Sequence, residues 1–284
     1  MTDEKLRLFI ARRIRGLISG EHTSRQLSVR GHDPEEKRKF RLGDDPRSID
    51  ALATAKRDDG NSRVGINRIE RGVNLVFLID CSASIRFGTI LEKYQYAVEL
   101  VRQITLACLG GGNRFRFVVF DEKIRYDSRF TMSAGSIDEF LQELVRIPAD
   151  KGTTNLAVAL NTLSDTVGQP SLNVPGIVFL ISDFLFQADF GNKLAAVSEQ
   201  SDVIAIFLKD PAELVLPRPR FGLIRLVDPE TGKSFMARRT GDAVDNILPI
   251  LKRCETDWLE LNTGLDTGKA LEKLTELFEK KKEG

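Results

Sequence analysis

The sequence predicts an α/β protein: a doubly wound, mostly parallel sheet with helices on both faces, preceded by an N-terminal extension. Three observations predict it. Apolar runs of strand length, "VNLVFLI", "RFRFVVF", "GIVFLIS" and "DVIAIFL", recur along residues 73–208. The first, "VNLVFLI", reads as a continuous run rather than an alternating one, as in a strand covered on both faces. Between the runs lie segments of helical periodicity, the alternation that builds parallel sheets. Finally, the first run ends in "DCSAS", polar side chains at a strand's carboxyl end, where open α/β sheets bind ligands.

The elements follow in order. "MTDEKLRLFIARRIRGLISG" has helical spacing through Leu6, Phe9, Ile10, Arg13, Leu17 and Ile18; packing on its own domain is the expected use, a membrane surface the alternative. Residues 19–71 are polar and weakly periodic, with a loop at "RLGDDPR", a short helix at "SIDALATAKR" and strand-like alternation in "SRVGINRIE". The segment is too long for an idle linker, so residues 1–71 are expected to be a helix and extension wrapping a main domain of residues 72–284. After the strand at 73–79 comes a helix with Leu91, Tyr94, Ala97, Val98, Val101, Ile104 and Leu109 on its inner face. Strand "RFRFVVF", strand-like "KIRYD" and helices "SIDEFLQELVRI" and "NLAVALNTLSDTV" follow, then strand "GIVFLIS", helix "NKLAAVSEQ" and strand "DVIAIFL". A hairpin around Asp228–Gly232, a helix near "DAVDNILPILKRC", strand "DWLEL" and a helix over about 267–281 complete the chain.

Composition excludes several classes. The net charge of the 284 residues is +1, which argues against a nucleic-acid or membrane-binding field. Residues 1–72 hold 17 Lys and Arg against 12 Asp and Glu, the remainder 25 against 29, so a basic start faces an acidic body. Cys81, Cys108 and Cys254 are too few and too scattered for disulfides or a zinc site, and point to a reduced, cytoplasmic protein. No apolar run reaches the roughly 20 residues of a transmembrane helix, and the charged N-terminus lacks a signal-peptide core.

Three loops carry the candidate site. The first holds Asp80, Ser82 and Ser84, whose alternate spacing in an extended loop turns them to one side. The second, "KGTTNLAVAL", offers Thr153 or Thr154 where a glycine turn opens a helix; the third places Asp183 after "GIVFLIS". Every one of these side chains presents oxygen. Hard oxygen donors without His or Cys suit Mg²⁺, with Mn²⁺ and Ca²⁺ as alternatives.

This arrangement resembles the metal-ion-dependent adhesion site of von Willebrand factor A domains. Asp80, Ser82, Ser84 and Asp183 match its pattern, and the resemblance selects Thr154, because the family's threonine usually precedes Asn or Asp, here Asn155. Longer stretches, "SGEHTSRQLSVRG", "RLGDDPRSIDALATAKR", "LVFLIDCSAS" through "ISDF", and "LKDPAELVLP" with "DPETG", are similar to the bacterial domain of unknown function 58 family over about residues 16–240. Ala51, usually Trp, and Ile85, usually Met, depart from that pattern. The resemblance implies a Rossmann-like, von Willebrand factor A-like fold and a non-enzymatic adaptor that binds a partner's carboxylate through its metal. It also implies a MoxR-type AAA+ ATPase as partner, the pair acting as a chaperone-like system on a client protein. MxaS-type relatives serve metalloenzyme maturation.

Competing readings are weaker. Serines after a strand are often turn or cap residues, which suits Ser82 or Ser84 singly but not their recurrence with Thr154 and Asp183. A dehalogenase-type phosphatase needs a second Asp where Ser82 stands, and the only histidines, His22 and His32, lie in the extension. "LGGGN" leads into a strand and reads as a turn rather than a phosphate cradle. Arg86, Phe87, Phe184 and Phe186 flank the site and are expected either to form an interface or to join the core.

Overall fold

A strand that is apolar from end to end has no face to give to water and belongs in the interior of a sheet. The computed structural model describes residues 34–39, 63–67, 73–109, 113–131, 133–147, 153–164, 176–186, 190–214, 224–227, 234–237 and 243–280. Two compact units are present, Ser19–Gly72 and a larger one holding all residues from Val73 onward; each is described by itself.

In the smaller unit, β1 (Pro34–Lys39) pairs antiparallel with β2 (Arg63–Asn67). The alternation in "SRVGINRIE" marks β2. Its partner is β1, in a two-stranded sheet of its own. The sequence of β1, PEEKRK, is charged after its first residue and carries no hydrophobic pattern. The expected N-terminal helix, the helix at "SIDALATAKR" and the wrapping of the extension fall outside the described residues.

The larger unit contains β3 (Asn74–Asp80), β4 (Arg114–Phe120), β5 (Ile124–Asp127), β6 (Gly176–Ser182), β7 (Asp202–Lys209) and β10 (Asp257–Asn262), in the order β10-β7-β6-β3-β4-β5. All neighbours are parallel except β4 and β5. A separate hairpin pairs β8 (Ile224–Val227) with β9 (Ser234–Ala237). Seven helices are described: α1 (Lys93–Ala107), α2 (Ala134–Arg146), α3 (Leu156–Ser164), α4 (Gly191–Ser198), α5 (Pro211–Leu214), α6 (Ala243–Arg253) and α7 (Thr267–Lys280). The sheet is the mixed, mostly parallel α/β sheet that the sequence predicts.

Side-chain alternation sorts β3 into two cores. Leu75, Phe77 and Ile79 pack with α1, α2 and α7. Val76 and Leu78 pack with α3, α4 and α6 on the other face. Phe77 stacks between Phe117 and Phe179 of the neighbouring strands, at centroid distances of 5.4 and 5.1 Å. The register sets Asp80 opposite Phe120 and Ile79 opposite Ile181, so the tips of β3, β4 and β6 end together. Among the described residues, no helix is long and apolar enough to cross a membrane.

Candidate functional site

Asp80 closes β3 with no exposed surface. The chain then curls rather than running on extended as the spacing suggests. The Ser82 N–H donates to Asp80 Oδ1 at 2.9 Å, an Asx turn, and Ser84 opens a 3₁₀ turn to Arg86. The curl still gathers the oxygens: Ser82 Oγ and Ser84 Oγ lie 3.2 Å apart. Beyond it, Gly88 occupies a place no other residue fits, since a Cβ there would meet the Leu91 carbonyl oxygen at 2.1 Å. That close approach lets the loop fold onto the start of α1, where the Lys93 N–H donates to the Phe87 carbonyl.

The tip of β6 supplies the other half. The Ser182 hydroxyl donates to Asp80 Oδ2 at 2.6 Å, and the Phe184 N–H donates back to Ser182 Oγ at 2.9 Å. Phe184 adopts a left-handed backbone, φ 55°, a conformation costing a bulky residue roughly 1–2 kcal/mol. Its ring, buried and stacked on Phe207 at 4.2 Å, anchors that turn. Asp183 is thereby held beside Ser84, whose hydroxyl donates to Asp183 Oδ1 at 3.2 Å. The third loop is tied down by Asn155, whose N–H donates to the Asp121 carbonyl just past β4. There the Thr154 hydroxyl donates to Asp80 Oδ2 at 3.4 Å, whereas Thr153 is exposed. Asp80, Ser82, Ser84, Thr154 and Asp183 thus form one chain of contacts at the carboxyl edge of the sheet.

The electrostatics are set by burial. Loss of water pushes the Asp80 carboxyl from 3.8 up to about 7; the nearby Asp183 charge adds to this, and hydrogen bonds from Ser182 and Ser82 oppose it. A residue that sequence reasoning passed over answers that charge. Lys93, the first residue of α1, has no exposed side-chain surface and places Nζ 2.7 Å from Asp183 Oδ2 and 2.7 Å from Glu213 Oε1. Burial alone lowers an ammonium's pKa; the two carboxylates outweigh that and hold Lys93 above its ordinary value. Glu213 Oε2 in turn accepts the Asp210 N–H at 2.9 Å. Asp210, fully buried at the tip of β7, accepts from the Thr89 N–H and hydroxyl and from the Ala212 N–H, each at 2.7–2.8 Å. Its burial pushes the carboxyl up, but these donors prevail and hold it low.

A faint signal for Lys93 exists. It shares a helical stripe with Ala97, Leu100 and Ile104, all buried. Ser182 looks like an ordinary strand end, and Asp210 and Glu213 sit in "LKDPAEL", which sequence reading used for likeness alone.

The flanking residues divide. Phe184 is core, Phe87 is 45% exposed, and Phe186 is half-buried. Arg86 turns away from the cluster, donating to the Ile147 carbonyl at 2.7 Å and stacking over Tyr94. Ile90, Leu91 and Leu185 add exposed apolar surface at the same edge. A groove of about 500 Å³ adjoins Thr154, lined among others by Asn155, Phe186, Phe190 and Lys193. Cys81 is buried and its thiol pushed up to about 12, chiefly by burial and then by Asp121 and Asp80, which disfavours the thiolate.

Among the described residues, no group of three or more His, Cys, Asp or Glu side chains is placed to hold a metal. The cluster offers two carboxylates and three hydroxyls instead. That donor set fits a hard cation that keeps some of its water, with the Lys93 ammonium already on one carboxylate.

Comparison with known proteins places these residues in context. The model of a family described as protein of unknown function DUF58 matches residues 36–246. Uncharacterized proteins of Mycobacterium bovis and Mycobacterium tuberculosis are 30% identical over 232 residues, covering 80% of this chain and 69% of theirs. Two solved structures share the fold. The conserved hypothetical protein BatB from Bacteroides thetaiotaomicron aligns with a TM-score of 0.52 and 14% identity, over 75% of this chain and all of that one. An aerotolerance-related membrane protein from Bacteroides fragilis aligns at 0.52 and 16%, over 74% of this chain and all of that one.

Proposed function

Because the chain belongs to the DUF58 family and its sheet is von Willebrand factor A-like, we propose that it is a protein-binding adaptor. Its contact with a partner runs through a divalent cation at the carboxyl edge. The observation that carries this reading is the convergence of oxygens at one edge: Thr154 on Asp80, Ser82 on Ser84 and Ser84 on Asp183, with the Ser82 N–H joining Asp80 to the serines. The cation, Mg²⁺ in preference to Mn²⁺ or Ca²⁺, would supply an electrophilic position for a carboxylate of the partner. Asp80 and Asp183 would hold it by charge, and Ser82, Ser84 and Thr154 would orient it by their hydroxyls. The exposed Phe87, Ile90, Leu91 and Leu185 give the surrounding surface an apolar rim, as a docking face requires.

By the family likeness the partner is a MoxR-type AAA+ ATPase, and the pair acts in the cytoplasm on a client protein in chaperone-like assembly. The role proposed is binding rather than turnover: position 82 holds a serine where a phosphatase of dehalogenase type needs an acid. The test is association of the purified chain with the MoxR-type ATPase of its host, measured with Mg²⁺ and with EDTA. Chelation is expected to weaken association, and Asp183→Ala to mimic chelation in a folded protein. Association that survives both, or turnover of a generic phosphate ester lost on Asp80→Asn, rejects the proposal.

A further inference from the structure

Asp183 is asked to serve two cations. Its Oδ2 accepts from Lys93 at 2.7 Å, and its Oδ1 faces Ser84 inside the oxygen cluster. Lys93 is not a surface lysine resting on a convenient acid. Its side chain has no exposed surface, and its backbone lies where the Gly88 turn folds over the start of α1. A buried ammonium that loses its partner carries a large desolvation cost, so it has to remain paired wherever it goes. The structure supplies the second pairing in advance. Glu213 Oε1 lies 2.7 Å from the same Nζ, on a side chain that is 31% exposed and fixed through Oε2 by the Asp210 N–H.

We propose that Lys93 is a resident counter-ion that competes with the divalent cation for Asp183, and that Glu213 holds its ammonium when the cation takes that carboxylate. The proposal rests on the metal reading above and adds the device that sets the affinity. Without metal, Lys93 neutralises Asp183 beside the buried Asp80, so the two carboxylates are not left facing each other unscreened. With metal, like charges meet at Asp183, and the energy of that meeting is subtracted from binding. The site is therefore tuned to a weak, reversible occupancy that follows the free cation concentration. A site without the lysine would hold its ion continuously.

Removing the ammonium and removing its second acceptor should act in opposite directions. Mn²⁺ titration of the full chain, followed by the electron paramagnetic resonance signal of free Mn²⁺, provides the measurement. Lys93→Met is expected to bind Mn²⁺ at least about tenfold more tightly than the unsubstituted chain. Glu213→Gln, a change at a partly exposed position that preserves shape, is expected to bind it several-fold more weakly, because the ammonium then rests wholly on Asp183. A melting temperature taken in EDTA adds a second readout. Lys93→Met should melt lower than the unsubstituted chain there and regain more on adding Mn²⁺.

A purely structural lysine would lower the melting temperature and leave Mn²⁺ affinity alone, and that result overturns the proposal. Unchanged or tighter binding in Glu213→Gln also overturns it, whether or not Lys93→Met folds. Binding by Lys93→Met when the unsubstituted chain binds none supports it. Absence of binding in all three proteins rejects the metal reading itself, and this proposal falls with it.

Discussion

Ser182 donates a 2.6 Å hydrogen bond to Asp80 Oδ2, joining the ends of two neighbouring strands that lie 102 residues apart in sequence. It opposes the burial that otherwise favours the protonated acid. Ser182→Ala is expected to lower stability by about 1–3 kcal/mol at pH 8, where the carboxylate is charged and loses its donor. The loss should be smaller at pH 5. Urea unfolding at the two pH values measures the difference, and equal losses would show that the bond does not serve the charged form.

Asp80 itself sets a pH dependence. Its folded-state value, about 7, lies above the ordinary 3.8, so the folded chain holds that proton more tightly than the unfolded one. The stability it contributes is complete below pH 3.8 and is lost as the pH rises toward about 7. Asp210, and Asp127 whose carboxyl Arg116 holds low against the upward push of burial, act with the opposite sign. Their contributions are lost only as the pH falls through the acid range. Thermal melts in EDTA between pH 5 and 8 should therefore fall with rising pH, and the rise in melting temperature on adding Mg²⁺ should grow over the same range. A Mg²⁺ effect that shrinks toward pH 8 would contradict ionised Asp80 as a ligand.

Asp80→Ala is expected to abolish Mg²⁺ binding while leaving the circular dichroism spectrum unchanged. Because burial already disfavours the Asp80 carboxylate, the variant should be at least as stable as the parent in EDTA at pH 8. Thr154→Ala removes a neutral donor and should weaken binding by a smaller factor. Calorimetric titration ranks the two, and equal losses would contradict the distinction between charged and neutral ligands.

Phe77→Ala, at the centre of the aromatic stack and far from the strand tips, serves as the contrasting change. Its expected cost is about 3–5 kcal/mol of folding stability with no change in Mg²⁺ affinity below its melting temperature. A parallel loss of affinity would mean that the site is read out through global stability alone.

At the apolar rim, Leu185→Gln and Ile90→Gln should weaken partner association while leaving melting temperature and Mg²⁺ affinity unchanged, because both side chains are already exposed, at 47% and 72%, and the change adds no charge beside the site. Unaltered association measured by surface plasmon resonance would move the interface elsewhere, with the groove beside Thr154 next in line.

The central strands of the main sheet were legible because burial on both faces writes an unbroken apolar run, as in Leu75–Ile79 and Ile177–Ile181. Asp80, Ser82, Ser84 and Asp183 stood out because polar residues end those runs, whereas Thr154 stood out only through the glycine turn that opens a helix and the family likeness. β1 was not legible, since Glu35 through Lys39 offer charge where pattern reading looks for apolar periodicity. Lys93 was hidden for a related reason: lysine at a helix start reads as solvated, and only its two buried acidic partners, distant in sequence, reveal otherwise. The curl at Ser82 escaped notice because the side-chain acceptor that bends the chain is itself one of the site residues.

The register that sets Ile79 beside Ile181 also fixes the order of events during synthesis. Ser84 and Asp183 are separated by 99 residues and Asp80 and Ser182 by 102, contacts of high sequence separation that form slowly. A nascent chain that has released β3, α1 and β4 from the ribosome holds Asp80 but lacks Asp183, the second carboxylate of the proposed site. On the proposed reading, the cation is therefore not expected to take part in nucleating the fold. Binding at the proposed site would wait until β6 has docked beside β3, and so would report that the centre of the sheet has closed.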